Sequence, residues 1–313
     1  MSTNTIPILS LLDYISSSLQ KKEQFIHDLG SALQNFGFFG LVNHGLSEEQ
    51  FTQAYTTSEE LFSLEVATKL KYDSTKYKGQ RGYTAFGREH AKDNASPDLK
   101  EFWHIGQDIT QSEINHPYPQ NLWPTEVPNM KQYIYPLYER LEDCALLLLE
   151  ACSLYIGEPN MLFRDIATHG NSILRLIHYP PILNHDHKNC VRAAAHEDIN
   201  LITLLPDATT SGLEIHSQGQ WLPVVTPPGS IIVDSGDMLQ NITNGVFKAT
   251  THRVVNPEKA DESRYSMPFF VHARPEASLA PLESCIKKVG KQNYPNISAG
   301  DFLTQRLEEI GLS

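Results

Sequence analysis

Ala193-Ala194-Ala195-His196-Glu197-Asp198-Ile199-Asn200-Leu201-Ile202-Thr203-Leu204-Leu205 is the stretch on which the reading of this chain turns. β-Branched and aliphatic residues fill its second half, so it reads as a single strand. Residues two apart on a strand share a face. His196 and Asp198 then project together, and Glu197 points the other way. An imidazole and a carboxylate converging on one point are two parts of a metal site. The third ligand has to come from elsewhere, and His252 in Thr250-Thr251-His252-Arg253-Val254-Val255 is the candidate, on another β-rich run. Two imidazoles and one carboxylate leave coordination positions open for exogenous ligands. Further along, Arg264-Tyr265-Ser266 again sets two side chains on one face. A guanidinium beside a hydroxyl suits a bidentate grip on a carboxylate.

Outward from this stretch, the pattern from residue 173 onward is one of short β runs: 173–179, 193–205, 213–216, 221–225, 230–233, 249–255 and 265–273. Gly and Pro clusters separate them. Evenly spaced short strands predict a jelly-roll, or double-stranded β-helix. Such a barrel brings distant strands around one pocket. Upstream, Phe25, Ile26, Leu29, Ala32, Leu33 and Phe36 recur at helical spacing, with Gly37 as a stop. A buried strand, 38–42, follows. Ser47 and Gln50 form a capping box for a second helix. Prolines at 117, 119, 124 and 128 mark an irregular crossing. The apolar stripe from Tyr133 to Tyr155 then predicts a long helix, kinked or begun by Pro136. A capped helix is expected over 298–310. The expected class is α+β: a double-stranded β-helix core flanked by helices, with a mixed α/β N-terminal region. The expected divisions are 1–110, 111–168 (crossing and long helix), 169–280 (β-helix) and 281–313 (helical tail).

The chain has 313 residues, 40% of them hydrophobic, enough for a substantial core. Its net charge of −12 contains no basic run and argues against a nucleic-acid partner. None of the four cysteines forms C-x-x-C, which removes zinc knuckles and thioredoxin-type chemistry. No signal-like start and no long apolar run appear, so a reducing cytoplasm and no membrane are expected.

The whole order, His196-x-Asp198, His252, then Arg264-x-Ser266, resembles the 2-oxoglutarate/Fe(II)-dependent dioxygenases, in particular the isopenicillin N synthase-like branch. Ile6-Pro7, residues 37–45 (GFFGLVNHG), Arg81-Gly82-Tyr83 and Glu101-Phe102 extend the resemblance over the first hundred residues. The resemblance implies His196, Asp198 and His252 as the catalytic metal ligands for Fe(II). It implies Arg264, Ser266 and Tyr179 as the residues that bind 2-oxoglutarate. The Tyr179 carry-over rests on a Tyr-Pro-Pro motif, from which the chain departs by having Ile177 where plant relatives have Asn. The implied reaction consumes O2, releases succinate and CO2, and oxidises a C–H bond of a small-molecule substrate, most commonly by hydroxylation. Ascorbate is an optional activator, and a monomer is expected over a homodimer. Some members of the family keep the Arg-x-Ser pair yet use it to hold a substrate carboxylate. An iron oxidase of the isopenicillin N synthase or aminocyclopropane-carboxylate oxidase type, independent of 2-oxoglutarate, is therefore the alternative. A metal-free barrel acting as a binding module is a second alternative.

Competing motifs are weaker. His44, beside a turn glycine, is expected to hydrogen-bond to backbone. His185-Asp186-His187 lies in a polar loop without a rigid strand. H-E-x-x-H fails because Asn200 stands at its last position, and G-x-S-x-G fails around Ser235. The polar stretch 84–98 is a connection or a lid over the substrate. Phe269 or Phe270 is expected to supply an apolar wall.

Overall fold

Residues 173–179 alternate between two faces, and this alternation organises the molecule. The computed structural model describes residues 5–77, 79–88, 100–108, 118–181, 192–217, 219–256 and 262–309. The N-terminal part runs β1 (Ile8–Ser10), α1 (Leu11–Ile15), α2 (Leu19–Asn35), β2 (Phe38–Val42), α3 (Glu48–Ser63), α4 (Val66–Lys69), β3 (Gly82–Thr84) and β4 (Glu101–Gly106). Two helices follow, α5 (Met130–Tyr155) and α6 (Met161–Ala167). The barrel strands are β5 (Ile173–Tyr179), β6 (Ala193–His196), β7 (Ile202–Pro206), β8 (Leu213–Ser217), β9 (Gln220–Pro223) and β10 (Ile231–Ser235). After α7 (Asp237–Ile242) come β11 (His252–Val254), β12 (Arg264–Ser266), β13 (Phe269–Val271), α8 (Glu283–Val289) and α9 (Ala299–Glu309).

Two sheets form the core, as expected for a jelly-roll. The larger has the order β1-β2-β10-β7-β13-β5-β4-β3, with β12 also paired to β5; the smaller is β6-β11-β8-β9. Strands β1 to β4 come from the first hundred or so residues and join the same sheet as β5, β7, β10 and β13. Leu174 and Leu176 face the helices, where they join the main core with Leu148, Tyr138 and Phe163. Ile177 and Tyr179 face the barrel interior and pack with Phe102. Between the two sheets lie Phe38, Ile232, Ala193, Ile215 and Val254.

The helices form for local reasons. Ser18 Oγ accepts from Lys21 N at 3.4 Å to cap α2. Both halves of the Ser47–Gln50 capping box are made on α3, a device worth about 1 kcal/mol. Gly37 ends the first of these turns with φ +73, a conformation an L side chain resists. Helix α5 starts at Met130, so Pro136 lies inside its second turn rather than in its first.

Two expected strands prove to be pairs. The run 193–205 divides into β6 in the smaller sheet and β7 in the larger. Its middle leaves the ladder because its backbone is bonded elsewhere: Asp237 N donates to Asp198 O at 2.7 Å, and Leu201 N donates to Val271 O at 2.9 Å. The run 265–273 breaks at Met267-Pro268, where Pro268 has no N–H to continue a ladder. Its two halves, β12 and β13, both pair with β5.

Candidate metal and cosubstrate site

His196 is the last residue of β6 and His252 the first of β11, and the two are direct cross-strand partners. Their ring centroids are 4.4 Å apart. Asp198 lies two residues beyond β6, on the corner that crosses between the sheets. It converges with His196 through that corner, not by sharing a strand face. Its Oδ1 is 3.7 Å from Nε2 of His196 and 3.7 Å from Nε2 of His252. One ligand atom from each of the three lies within 4.8 Å of the others.

Backbone carbonyls set the tautomers. Nδ1 of His196 lies 2.7 Å from Ala194 O, and Nδ1 of His252 lies 3.1 Å from Thr250 O. An Nδ1–H donated in this way leaves an Nε2 lone pair on each ring aimed at the shared centre. Burial, followed by the neighbouring His196, pushes the His252 imidazolium down to about 4 despite Asp198. His252 is therefore a neutral imidazole at physiological pH. The carboxylate is also supported: Thr203 Oγ1 donates to Asp198 Oδ2. Asn200 Nδ2 donates to Thr203 Oγ1 at 3.0 Å and to Ile202 O at 3.0 Å. Burial, then repulsion from Asp198, pushes the Asp234 carboxyl well above its usual range. Two imidazoles and a carboxylate of this kind are a donor set for a divalent first-row metal.

Arg264, Ser266 and Tyr179 meet on the barrel face of the larger sheet. Arg264 is the register partner of Tyr179, and Ser266 that of Ile177. The Arg264 guanidinium lies 5.2 Å over the Tyr179 ring. It is 2% exposed, its Nε donates to Thr210 O at 3.2 Å, and its buried Nη1 has no partner among the described residues. A buried guanidinium with an unanswered N–H fits a carboxylate. Beside it lies Arg192, 1% exposed, which the sequence reading missed. The burial that makes Arg192 notable cannot be read from its place before Ala193.

Phe270 is the register partner of Thr203, the residue that holds Asp198. Phe270 and Phe102 flank Arg175, whose guanidinium is 4.2 Å from the Phe102 ring and 5.2 Å from the Phe270 ring. Arg175 Nε donates to His104 Nε2 at 2.6 Å. Phe270 thus stands on the same sheet face as Thr203. Phe269 alternates to the opposite face, away from that position, and meets Tyr138 of α5 edge-on at 5.0 Å. His44 behaves as expected: its Nε2 lies 2.8 Å from Gly229 O, and its Nδ1 accepts from Leu46 N. His178 has no part in the site and stands 2.8 Å from Glu101, which Lys69 and Tyr83 also bind. His185-Asp186-His187 and residues 89–98 of the expected lid lie outside the described residues. No helix among the described residues is long and apolar enough to cross a membrane.

Comparison with known proteins agrees with this geometry. Residues 6–126 match the family model of the non-haem dioxygenase N-terminal region in morphine synthesis, and residues 170–273 match that of the 2OG-Fe(II) oxygenase superfamily. A 2-oxoglutarate-Fe(II) type oxidoreductase of Emericella nidulans is 26% identical, over 97% of this chain and 89% of its own. Homoarginine-6-hydroxylase of Arabidopsis thaliana is 29% identical, over 88% of this chain and 83% of its own. Among solved structures, a protein assigned to the 2OG-Fe(II) oxygenase family from Caulobacter crescentus is 38% identical with TM-score 0.85, covering 98% of this chain and 100% of that one. A full-length Neurospora crassa protein solved in complex with alpha-KG is 26% identical with TM-score 0.87, covering 98% of each chain. The fold, the clustered donor set and these likenesses agree: the chain belongs to the 2OG-Fe(II) oxygenase superfamily and is an Fe(II)- and 2-oxoglutarate-dependent oxidoreductase.

Proposed function

We propose that His196, Asp198 and His252 hold the Fe(II), that Arg264, Ser266 and Tyr179 grip the distal carboxylate of 2-oxoglutarate, and that the chain hydroxylates a C–H bond of a small organic molecule. The observation that carries this reading is the pair of cross-strand imidazoles whose Nε2 atoms are each 3.7 Å from one Asp198 oxygen. When bound, iron and 2-oxoglutarate supply the activation of O2, with succinate and CO2 as coproducts. The residues of the chain do the positioning. The Ala194 and Thr250 carbonyls fix both imidazoles as Nε2 ligands. Thr203 holds the free oxygen of Asp198, so the other oxygen faces the shared centre. Arg264 offers its unanswered Nη1 at the far end of the pocket. Phe102 and Phe270 supply an apolar wall that excludes water beside them.

A relative named for homoarginine hydroxylation, and a neighbour solved with thymine, support a small organic substrate of this order of size. The dependence on 2-oxoglutarate is favoured over the iron-oxidase alternative by the cosubstrate complexes among the structural neighbours. The test is succinate release. The wild type, given Fe(II) and O2, should form succinate only when 2-oxoglutarate is supplied, and Asp198→Ala should abolish both iron binding and succinate formation. Full activity in that variant would remove Asp198 from the site.

A further inference from the structure

Two arginines, not one, are buried around Thr210. Arg192 Nη2 donates to Glu262 O at 2.8 Å, and its Nη1 reaches Thr210 Oγ1 at 3.4 Å. Arg264 Nε donates to the backbone oxygen of the same Thr210 at 3.2 Å. Thr210 therefore ties the two guanidinium groups side by side. Each retains a buried nitrogen with no hydrogen-bond partner among the described residues, Nε on Arg192 and Nη1 on Arg264. Among the described residues neither forms an ion pair with a carboxylate. Burial first, and then the adjacent Arg264 charge, hold the Arg192 guanidinium below its usual range.

Two like charges removed from water with no counter-ion are costly, and a fold keeps such a pair where an anion completes it. The Arg-x-Ser pattern accounts for only one of them. We infer that Arg192 and Arg264 form a two-guanidinium clamp on the distal carboxylate of the cosubstrate, with Thr210 fixing their spacing. This rests on the functional reading above and adds a second anchor to it. Succinate retains that distal carboxylate, so the clamp also holds the coproduct. A 2-oxo acid that lacks the distal carboxylate gains nothing from it.

The experiment is calorimetric titration of anaerobic, Fe(II)-loaded protein with 2-oxoglutarate, succinate and 2-oxobutyrate, for wild type, Arg192→Gln and Arg264→Gln. It is paired with the shift in Tm that 2-oxoglutarate induces in the metal-free protein. Arg192→Gln should weaken 2-oxoglutarate and succinate about tenfold or more, leave 2-oxobutyrate unchanged, and shrink the Tm shift. Wild-type affinity for both dicarboxylates in Arg192→Gln, with a loss in Arg264→Gln, overturns the clamp and leaves the functional reading standing. No binding of 2-oxoglutarate by the wild type overturns both. If Arg192→Gln does not fold, Arg192→Lys keeps the charge and loses the fork. Weaker dicarboxylate binding in it supports the clamp, and wild-type affinity overturns it.

Discussion

A carboxylate proposed as a metal ligand is only as well placed as the group that holds its other oxygen, and at Asp198 that group is Thr203. Its hydroxyl donates to Oδ2 while accepting from Asn200 Nδ2 at 3.0 Å. The hydroxyl thus leaves Oδ1 as the oxygen facing both imidazoles. Thr203→Val keeps the shape and the β-branched backbone preference but removes the only atom that makes these bonds. It should weaken Fe(II) binding about 10–100-fold while the far-ultraviolet circular dichroism stays that of the wild type. Unchanged iron affinity would mean that the corner alone orients Asp198. No motif in the sequence marks Thr203, since its role depends on β7 and the corner folding back over Asp198. That His196, Asp198 and His252 come together was legible because their order and spacing are covalent facts. Arg192 was not, because its burial beside Arg264 is created by the fold.

The corner 197–201 is the element on which the site depends, and it is where the single expected strand fails. Continuous pairing would have put Asp198 in a ladder. Instead the chain leaves β6 after His196, turns, and enters the other sheet as β7. The turn is clamped from the β10–α7 junction, where Gly236 N donates to Leu201 O at 3.0 Å and Asp237 N to Asp198 O at 2.7 Å. Gly236 has φ −98, so its conformation is open to any residue; what excludes a side chain is space. A Cβ there would stand 2.3 Å from Asn200 O and 2.8 Å from Asp198 O. Gly236→Ala must therefore move the backbone that carries the carboxylate. It should lower stability by about 1–3 kcal/mol and weaken iron binding, both measurable on one preparation by urea unfolding and metal titration. A variant that is destabilised but binds iron as the wild type does would show that the corner absorbs the displacement without moving Asp198. Helix positions were more legible than this corner because periodicity is local, whereas the corner is set by α7, β10 and β13.

At the scale of the whole molecule, the barrel half-buries a histidine outside the proposed metal triad, His272, whose charge state is set by elements far apart in the chain. His272 follows β13; its backbone N–H donates to Ser172 Oγ at 3.3 Å, and its buried Nδ1 has no partner among the described residues. A Cβ at Gly170 would lie 1.9 Å from His272 O, so the segment before β5 is pressed against it. Burial, opposed by Asp198 and reinforced by Arg175, lowers its imidazolium to about 4 from the ordinary 6.5. The folded protein thus keeps His272 neutral over a range in which the unfolded chain protonates it. Its stabilising contribution is complete above pH 6.5 and is lost as pH falls from there to about 4, at about 1.4 kcal/mol per pH unit. With 37 acidic residues, the chain also has many carboxylates that titrate toward the lower end of this window. A comparison with His272→Asn cancels them, because both proteins share every carboxylate. In metal-free protein, the stability of the wild type minus that of His272→Asn should fall by on the order of 3 kcal/mol between pH 7 and pH 4, measured by urea unfolding at each pH. A difference that does not change with pH would mean that His272 titrates as a solvated histidine and that the interior near Asp198 is open to water.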